Sequence, residues 1–343
     1  MPDRYQILVS GPRMLRDWDR VHPTIAHLPF DYHKAEVRQH LEEDELIPLL
    51  TGATPIDGAM CGGDRWTARV FDAAPTLKAV CKWGTGIDAI DQDAARARGI
   101  PVRNVPDAFS VPVADTALCH MLCFARKQPW LTQALRAGEW SPIEGVALGE
   151  QTLGIVGLGA IGQTVARRAA AFGMTLLGTD PKRPPQQFLD DTRLEMTTLD
   201  DLLERADVVS INCDLNPTSR HLISEAQLAK MKPSAVLINT ARGPIVDQAA
   251  LEHALLSKQI AGAGLDVFET EPLDQDSPLR KLDNVLLSPH LSQSSPRACW
   301  AVHERVARNL CDCLGIDFDT GERSARSPEP GAHRANTVEG AHA

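Results

Sequence analysis

Three segments in the second half of the chain end apolar runs on residues that can carry chemistry. "LINTARGPIVD" brings Arg242, "GLDVFETEPL" brings Asp266 and Glu271, and "VLLSPHLSQSS" brings His290. A guanidinium, carboxylates and an imidazole are groups from which sites that hold anions and move protons are built. Each alone has a plain explanation: a surface arginine, an acidic turn shared with Glu269, one of eleven histidines. Their placement sets them apart. Each follows a run that reads as a strand, and open α/β sheets bind ligands beyond the carboxyl ends of their strands.

A fourth segment, "LGIVGLGAIGQTVARRAAAFGMTLLGTD", holds Gly157, Gly159 and Gly162 between an apolar strand and a helical run. In that context the first glycine permits a turn and the second lets backbone approach a pyrophosphate. The third lets helix pack on strand, and the helix N-terminus favours negative charge. Asp180 ends the next strand, 18 residues beyond Gly162. There a carboxylate accepts hydrogen bonds from ribose hydroxyls and repels a 2'-phosphate, so the expected cofactor is NAD rather than NADP. Lys182 and Arg183 just downstream soften that preference.

Two series of elements must position these groups. In the first, "YQILVS", "DGAMCG", "LKAVCKWG" and "IPVRNV" read as strands separated by helical segments, among them residues 34–50 and "DQDAARARG". That is a parallel α/β unit in its own right. After a long apolar helix over 110–127, a second series of six strands runs from Thr152 to His290, with "TTLDDLLERA" and "SEAQLAKMKP" as intervening helices. This reads as a doubly wound dinucleotide-binding sheet. A final helix, "PRACWAVHERVARNLCDCLG", follows, and the segment from Phe318 is rich in Gly, Pro, Ser and charge, the composition of a poorly packed tail.

With 343 residues the chain has material for two cores. Its net charge of -10 argues against a nucleic-acid partner, and no run approaches the ~20 apolar residues of a membrane span. The start lacks a long apolar run with a cleavage site, so the expected location is the cytoplasm. Eight scattered cysteines lack paired metal-ligand spacing and read as buried thiols; no metal is expected.

Taken together, "GIVGLGAIG", "MKPSAVLINTARGPIVD", "GAGLDVFETEPL" and "NVLLSPH" resemble the D-isomer-specific 2-hydroxyacid dehydrogenases, in particular the branch that includes D-3-phosphoglycerate dehydrogenase. The resemblance covers about residues 50 to 310. It implies two Rossmann-like or flavodoxin-like domains, with the NAD-binding domain (107–290) inserted into a substrate domain (1–106 and 291–317), ahead of a disordered tail (318–343). It explains why the glycine fingerprint comes late. The implied reaction is reversible hydride transfer between NAD(H) and a 2-oxo or 2-hydroxy acid, with 3-phosphoglycerate, hydroxypyruvate and glyoxylate as candidates. His290 would be the general acid and base, Glu271 its partner on the other ring nitrogen, and Arg242 the residue that holds the substrate carboxylate. Gly157, Gly159, Ala160, Ile161, Gly162 and Asp180 would bind the dinucleotide, Asp266 the nicotinamide carboxamide, and Thr240 and Ala241 the turn beside it. In the first domain "KWGTGIDAID" resembles the loop whose backbone N–H groups bind the substrate carboxylate, with Thr85 and Gly86 at the matching positions. Residues 128–150 correspond to the family's dimer arm, in which Trp130, Leu131, Leu135 and Trp140 either face a second copy or cover their own domain.

Departures bear on the substrate. "CGGDRWT" places Asp64 and Arg65 where phosphoglycerate dehydrogenases carry an Arg-Ser-rich turn, which speaks against a phosphorylated substrate. The short C-terminal segment leaves no room for a serine-sensing domain, and Glu271 stands where formate dehydrogenases carry Gln. The alternatives are an NAD(H)-sensing regulator like the C-terminal binding protein corepressors, and a methyltransferase. The latter would leave Arg242, Glu271 and His290 unexplained.

Overall fold

In the computed structural model of the chain, residues 4–140 and 142–323 are described. They divide into two compact units, one formed by the residues up to Ala108 with those from Ser295 on, the other by Phe109–Ser294.

The first unit runs β1 (Tyr5–Val9), α1 (Pro12–Arg16), α2 (Trp18–Ile25), β2 (Phe30–Lys34), α3 (Glu43–Leu50), β3 (Gly58–Cys61), α4 (Ala68–Ala73), β4 (Ala79–Lys82), α5 (Gln92–Ala97) and β5 (Val102–Arg103). The strands form one parallel sheet in the order β2-β1-β3-β4-β5. Ile7, Leu8 and Val9 are all buried, as befits a strand covered on both faces. The chain's last helix, Pro296–Leu314, returns to this sheet and is called the closing helix below. Its Leu310 lies over Gly58 of β3 so closely that a Cβ there would stand 2.9 Å from Leu310 Cδ1.

Two expectations change here. The helix expected over residues 34–50 is only α3, and Lys34 is instead the last residue of β2, which pairs with β1 along its whole length. The helix starts at the reciprocal hydrogen bonding of Glu42 and Glu45, which satisfies free N–H groups of its first turn. The poorly packed tail expected from Phe318 does not hold for residues 318–323. His27 Nε2 bonds Phe318 O at 2.7 Å, the Arg308 guanidinium covers the Phe318 ring at 4.0 Å, and Ile316 bridges Arg323. Residues 324–343 lie outside those described.

The second unit runs α6 (Ser110–Arg126), α7 (Gln128–Arg136), β6 (Thr152–Val156), α8 (Ala160–Ala171), β7 (Thr175–Thr179), α9 (Gln186–Thr192), β8 (Glu195–Met196), α10 (Leu199–Arg205), β9 (Val208–Ile211), α11 (Glu225–Leu228), β10 (Val236–Asn239), α12 (Gln248–Leu256), β11 (Gly262–Leu265) and β12 (Val285–Leu287). Its seven strands are parallel, in the order β12-β11-β10-β9-β6-β7-β8. Strand order reverses between β6 and β9, which sets the ligand crevice of such a sheet at their carboxyl ends. Every residue of β9, β10 and β11 is buried. The helix expected from "SEAQLAKMKP" is the single turn α11, opened by Ser224 with Gln227. No helix among the described residues is long and apolar enough to cross a membrane.

Candidate active site

The glycine turn lies between β6 and α8. Gly157 has φ +92°, and a Cβ there would stand 2.5 Å from Cys213 N; at Gly162 it would stand 2.0 Å from Gly157 O. Neither position tolerates a side chain. Above Gly159 nothing lies within 4 Å of such an atom, and Gly159 caps α8 with no side-chain hydrogen bond. The twelve-residue helix therefore opens, at Ala160, Ile161 and Gly162, on backbone N–H groups beside free space, a seat for a pyrophosphate. Asp180, just past β7, accepts from Leu158 N and Lys182 N at 2.7 Å each, tying this turn to the next strand end. Two buried polar atoms past the neighbouring strands, Asn212 Oδ1 and Thr240 Oγ1, have no hydrogen-bond partner among the described residues. Buried polar atoms in that state await a ligand or water, so the set fits a dinucleotide.

β10, β11 and β12 are neighbours in the sheet, and the residues singled out for chemistry follow their carboxyl ends. After β10, the buried Asn239 shapes the turn: its Oδ1 accepts from Ala241 N at 3.0 Å, and its amide donates to Arg242 O at 2.9 Å. Arg242 Nη1 donates to Ala241 O at 2.8 Å.

After β11, Glu271 Oε1 accepts from Phe268 N at 3.0 Å, and Oε2 lies 2.7 Å from His290 Nδ1. Facing a carboxylate, Nδ1 carries the ring proton of neutral His290, which leaves Nε2 as the nitrogen that exchanges protons. Glu269 does not compete for this role, since it pairs with His221.

His290 has φ +50°, a left-handed conformation rare outside glycine and costing on the order of 1 kcal/mol or more. Asp266 holds it there. Its backbone oxygen accepts from His290 N at 2.7 Å. Its fully buried carboxylate accepts from Ser288 Oγ (2.6 Å), Leu291 N (2.9 Å) and Ser292 N (2.8 Å), closing the loop around the histidine. Sequence reasoning missed this bracing role, and with it Ser288 and Asn239. Their signal was available: polar residues at or beside the ends of apolar strands.

In the first unit Thr85 Oγ1 donates to Val105 O at 3.1 Å, the Asn104 amide donates to Thr85 O, and Gly86 is half-buried. The reading of Asp64 is corrected. Its carboxylate is fully buried and accepts from Ser10 Oγ, Leu41 N and Gly62 N, so it faces the interior and has no bearing on a substrate phosphate. Trp130 covers its own domain, its ring tilted at 47° against Phe124 with centroids 5.2 Å apart and its indole N–H donating to Asp283 O at 2.7 Å.

Residues 118–292 match the family model described as "D-isomer specific 2-hydroxyacid dehydrogenase, NAD binding domain". The glyoxylate reductase of Korarchaeum cryptofilum is 41% identical over 81% of this chain and 80% of its own. The chain belongs to the D-isomer specific 2-hydroxyacid dehydrogenase family. Membership carries the family's chemistry, NAD-dependent oxidation and reduction at a CH–OH group; the relatives matched are enzymes and lend no support to the regulator reading. The D-3-phosphoglycerate dehydrogenase of Methanocaldococcus jannaschii is 37% identical over 85% of the chain, which spans only 56% of that longer relative. Among solved structures, the D-lactate dehydrogenase of Aquifex aeolicus, complexed with NAD and lactic acid, is similar with a TM-score of 0.78 and 26% identity, covering 90% of this chain and 96% of its own.

Proposed function

We propose that this family member reduces a small 2-oxo acid with NADH, and oxidises the corresponding 2-hydroxy acid with NAD, using Arg242, Glu271 and His290. The observation that carries the reading is the 2.7 Å contact between His290 Nδ1 and Glu271 on a loop that Asp266 braces. The bound cofactor supplies or accepts the hydride. His290 Nε2 gives a proton to the oxo oxygen in reduction and takes it back in oxidation, while Glu271 fixes the tautomer that makes this possible. Arg242, a permanently charged fork, holds the carboxylate of the acid. In the first unit, Thr85 and Gly86 are proposed to bind substrate through their backbone N–H groups. Gly157 to Gly162, Asp180, Thr240 and Ala241 hold the dinucleotide. Asp266 braces the histidine loop, with a contact to the nicotinamide carboxamide as its second task.

Glyoxylate, the substrate in the name of the Korarchaeum relative, is the first acid to test. The experiment is NADH oxidation with glyoxylate, hydroxypyruvate and 3-phosphohydroxypyruvate. Turnover of the first two above the third supports a small unphosphorylated substrate. No turnover with any 2-oxo acid overturns the reading.

The working form is proposed to be a homodimer in the cytoplasm. Leu135 stands near the end of α7, and Trp140, 91% exposed, and Ile143 stand on the segment after it. Leu118, Cys119, Leu122 and Phe172 line an open apolar groove of the same unit, about 670 Å³ in volume. Exposed apolar surface of this kind is what a second copy covers. Trp140→Asp should shift the protein from dimer to monomer in analytical ultracentrifugation, and a wild-type monomer at all concentrations refutes the dimer.

A further inference from the structure

Trp83 follows β4 directly and opens the loop that carries Thr85 and Gly86. Its indole N–H donates to His303 Nδ1 at 3.0 Å. An indole nitrogen only donates, so Nδ1 must be bare and the ring proton sits on Nε2, which donates to Asp17 Oδ2 at 3.2 Å. His303 is buried on the closing helix. Further along that helix, Asn309 donates to Asn104 O at 2.9 Å, and the Asn104 amide in turn donates to Thr85 O. The closing helix thus holds the loop from both sides, at Trp83 and at Thr85.

We infer that His303 is a positioning residue for the substrate loop, acting through Trp83, and that only its neutral form with the proton on Nε2 keeps the loop in place. The inference rests on the proposed role of Thr85 and Gly86 in binding substrate. The charged groups around the chain are Asp17 between α1 and α2, Arg20 of α2, whose guanidinium lies 5.4 Å from the centre of the Trp300 ring, and Arg13 of α1, 5.9 Å from the centre of the Trp83 ring. Lys82 of β4 donates to Trp83 O at 3.2 Å. The Trp300 ring meets His303 edge-on from the same helix. Burial, aided by Arg20, pushes the His303 imidazole below its usual range against the pull of Asp17. A proton added at Nδ1 would set two donors face to face and break the bond to Trp83.

The test uses three variants and two readouts. His303→Gln keeps a donor for Asp17 but puts no acceptor at the Nδ1 position, and Trp83→Phe removes the indole donor. Each should raise KM for the 2-oxo acid about tenfold at neutral pH, the scale of one buried hydrogen bond lost, with kcat and NADH affinity unchanged. His303→Asn, whose Oδ1 stands where Nδ1 stood, should keep a near-normal KM and lose the rise in KM that the wild type shows on acidification. The second readout needs no substrate. The Trp83 indole 1H–15N resonance, assigned by its absence in Trp83→Phe, should move between about pH 7.5 and about pH 5 in the wild type and stay fixed in His303→Asn. An immobile wild-type resonance, or an unchanged KM in both Trp83→Phe and His303→Gln, overturns the inference. A resonance that moves while KM does not overturns the link to the substrate loop, whereas a protein that reduces no 2-oxo acid at all overturns the proposed function first.

Discussion

Replacing Asp266 with Asn is the most searching perturbation of the catalytic loop, because it changes the shape of the side chain hardly at all. The carboxylate accepts three hydrogen bonds, from Ser288 Oγ, Leu291 N and Ser292 N, in a fully buried setting. Asparagine keeps one oxygen, which can serve Ser288 and Leu291, but its amide group then meets the N–H of Ser292 donor to donor. The loss is one charge-assisted hydrogen bond, roughly 1.5–3 kcal/mol, together with a buried donor left unpaired at about 1–3 kcal/mol. Partial relaxation of the loop recovers some of this, so the expected cost is about 3 kcal/mol, read as a fall in the urea midpoint at unchanged slope. The same slack moves His290, held at φ +50° by its bond to Asp266 O, out of line with its target. A misplacement of about 1 Å costs about a hundredfold in kcat. NADH affinity, followed by fluorescence titration, should fall by no more than about tenfold, the scale of the one contact proposed to the nicotinamide carboxamide. An unaltered urea midpoint with kcat within about twofold of wild type would falsify the bracing argument. A large loss of NADH affinity at unaltered stability would assign the carboxylate to the cofactor alone.

Three further outcomes are expected. His290→Ala should lose most turnover while binding NADH normally, and Arg242→Ala should in addition weaken the 2-oxo acid; near-normal turnover in His290→Ala would remove it from the proton step. Asp180→Ser should narrow the preference for NADH over NADPH and also loosen the glycine turn, since Leu158 N loses its acceptor; a variant as selective as the wild type would show that Asp180 does not choose the cofactor. Burial on α6 pushes the His120 imidazole below its usual range, against a weaker opposite pull from Asp266. The unfolded chain therefore binds the proton first, so stability is complete above about pH 6.5 and falls as pH drops from there toward the lower folded value. Urea midpoints between about pH 7.5 and about pH 5 should show this decline, less steeply in His120→Met, and equal slopes in the two proteins would refute it.

The groups with the strongest local signatures were legible in the sequence. A glycine fingerprint works through backbone sterics that only glycine satisfies, and Gly157 and Gly162 sit where any Cβ would collide. The three strands β9, β10 and β11 are buried throughout, with Ser210 and Asn239 their two polar residues, because both faces are covered, and a run without alternation marks a buried parallel strand. Where local pattern was weak, the reading went astray. Phe30–Lys34 is an edge strand with a half-buried middle, which the sequence reading passed over, placing its last residue, Lys34, at the start of a helix. Its identity comes from pairing with β1, a contact between residues distant in sequence.

Asp64 and Asp266 show why residue type alone could not assign the acidic groups. Read as a sequence, each is an aspartate near a loop that matters: the first seemed to face a substrate and the second a cofactor. In the fold each is fully buried and accepts three hydrogen bonds, two of them from backbone N–H groups. An ionised carboxylate can pull several N–H groups into one tight loop because each such bond is stronger than a neutral one. Glu271, by contrast, spends one oxygen on Phe268 N and offers the other to an imidazole that remains 38% exposed. The difference between a brace and a catalytic partner is therefore what remains after the backbone is satisfied: nothing at Asp64, and one oxygen directed at a titratable ring at Glu271. That remainder depends on loop geometry several residues away, which is why spacing in the sequence finds the candidates and only the folded loop sorts them.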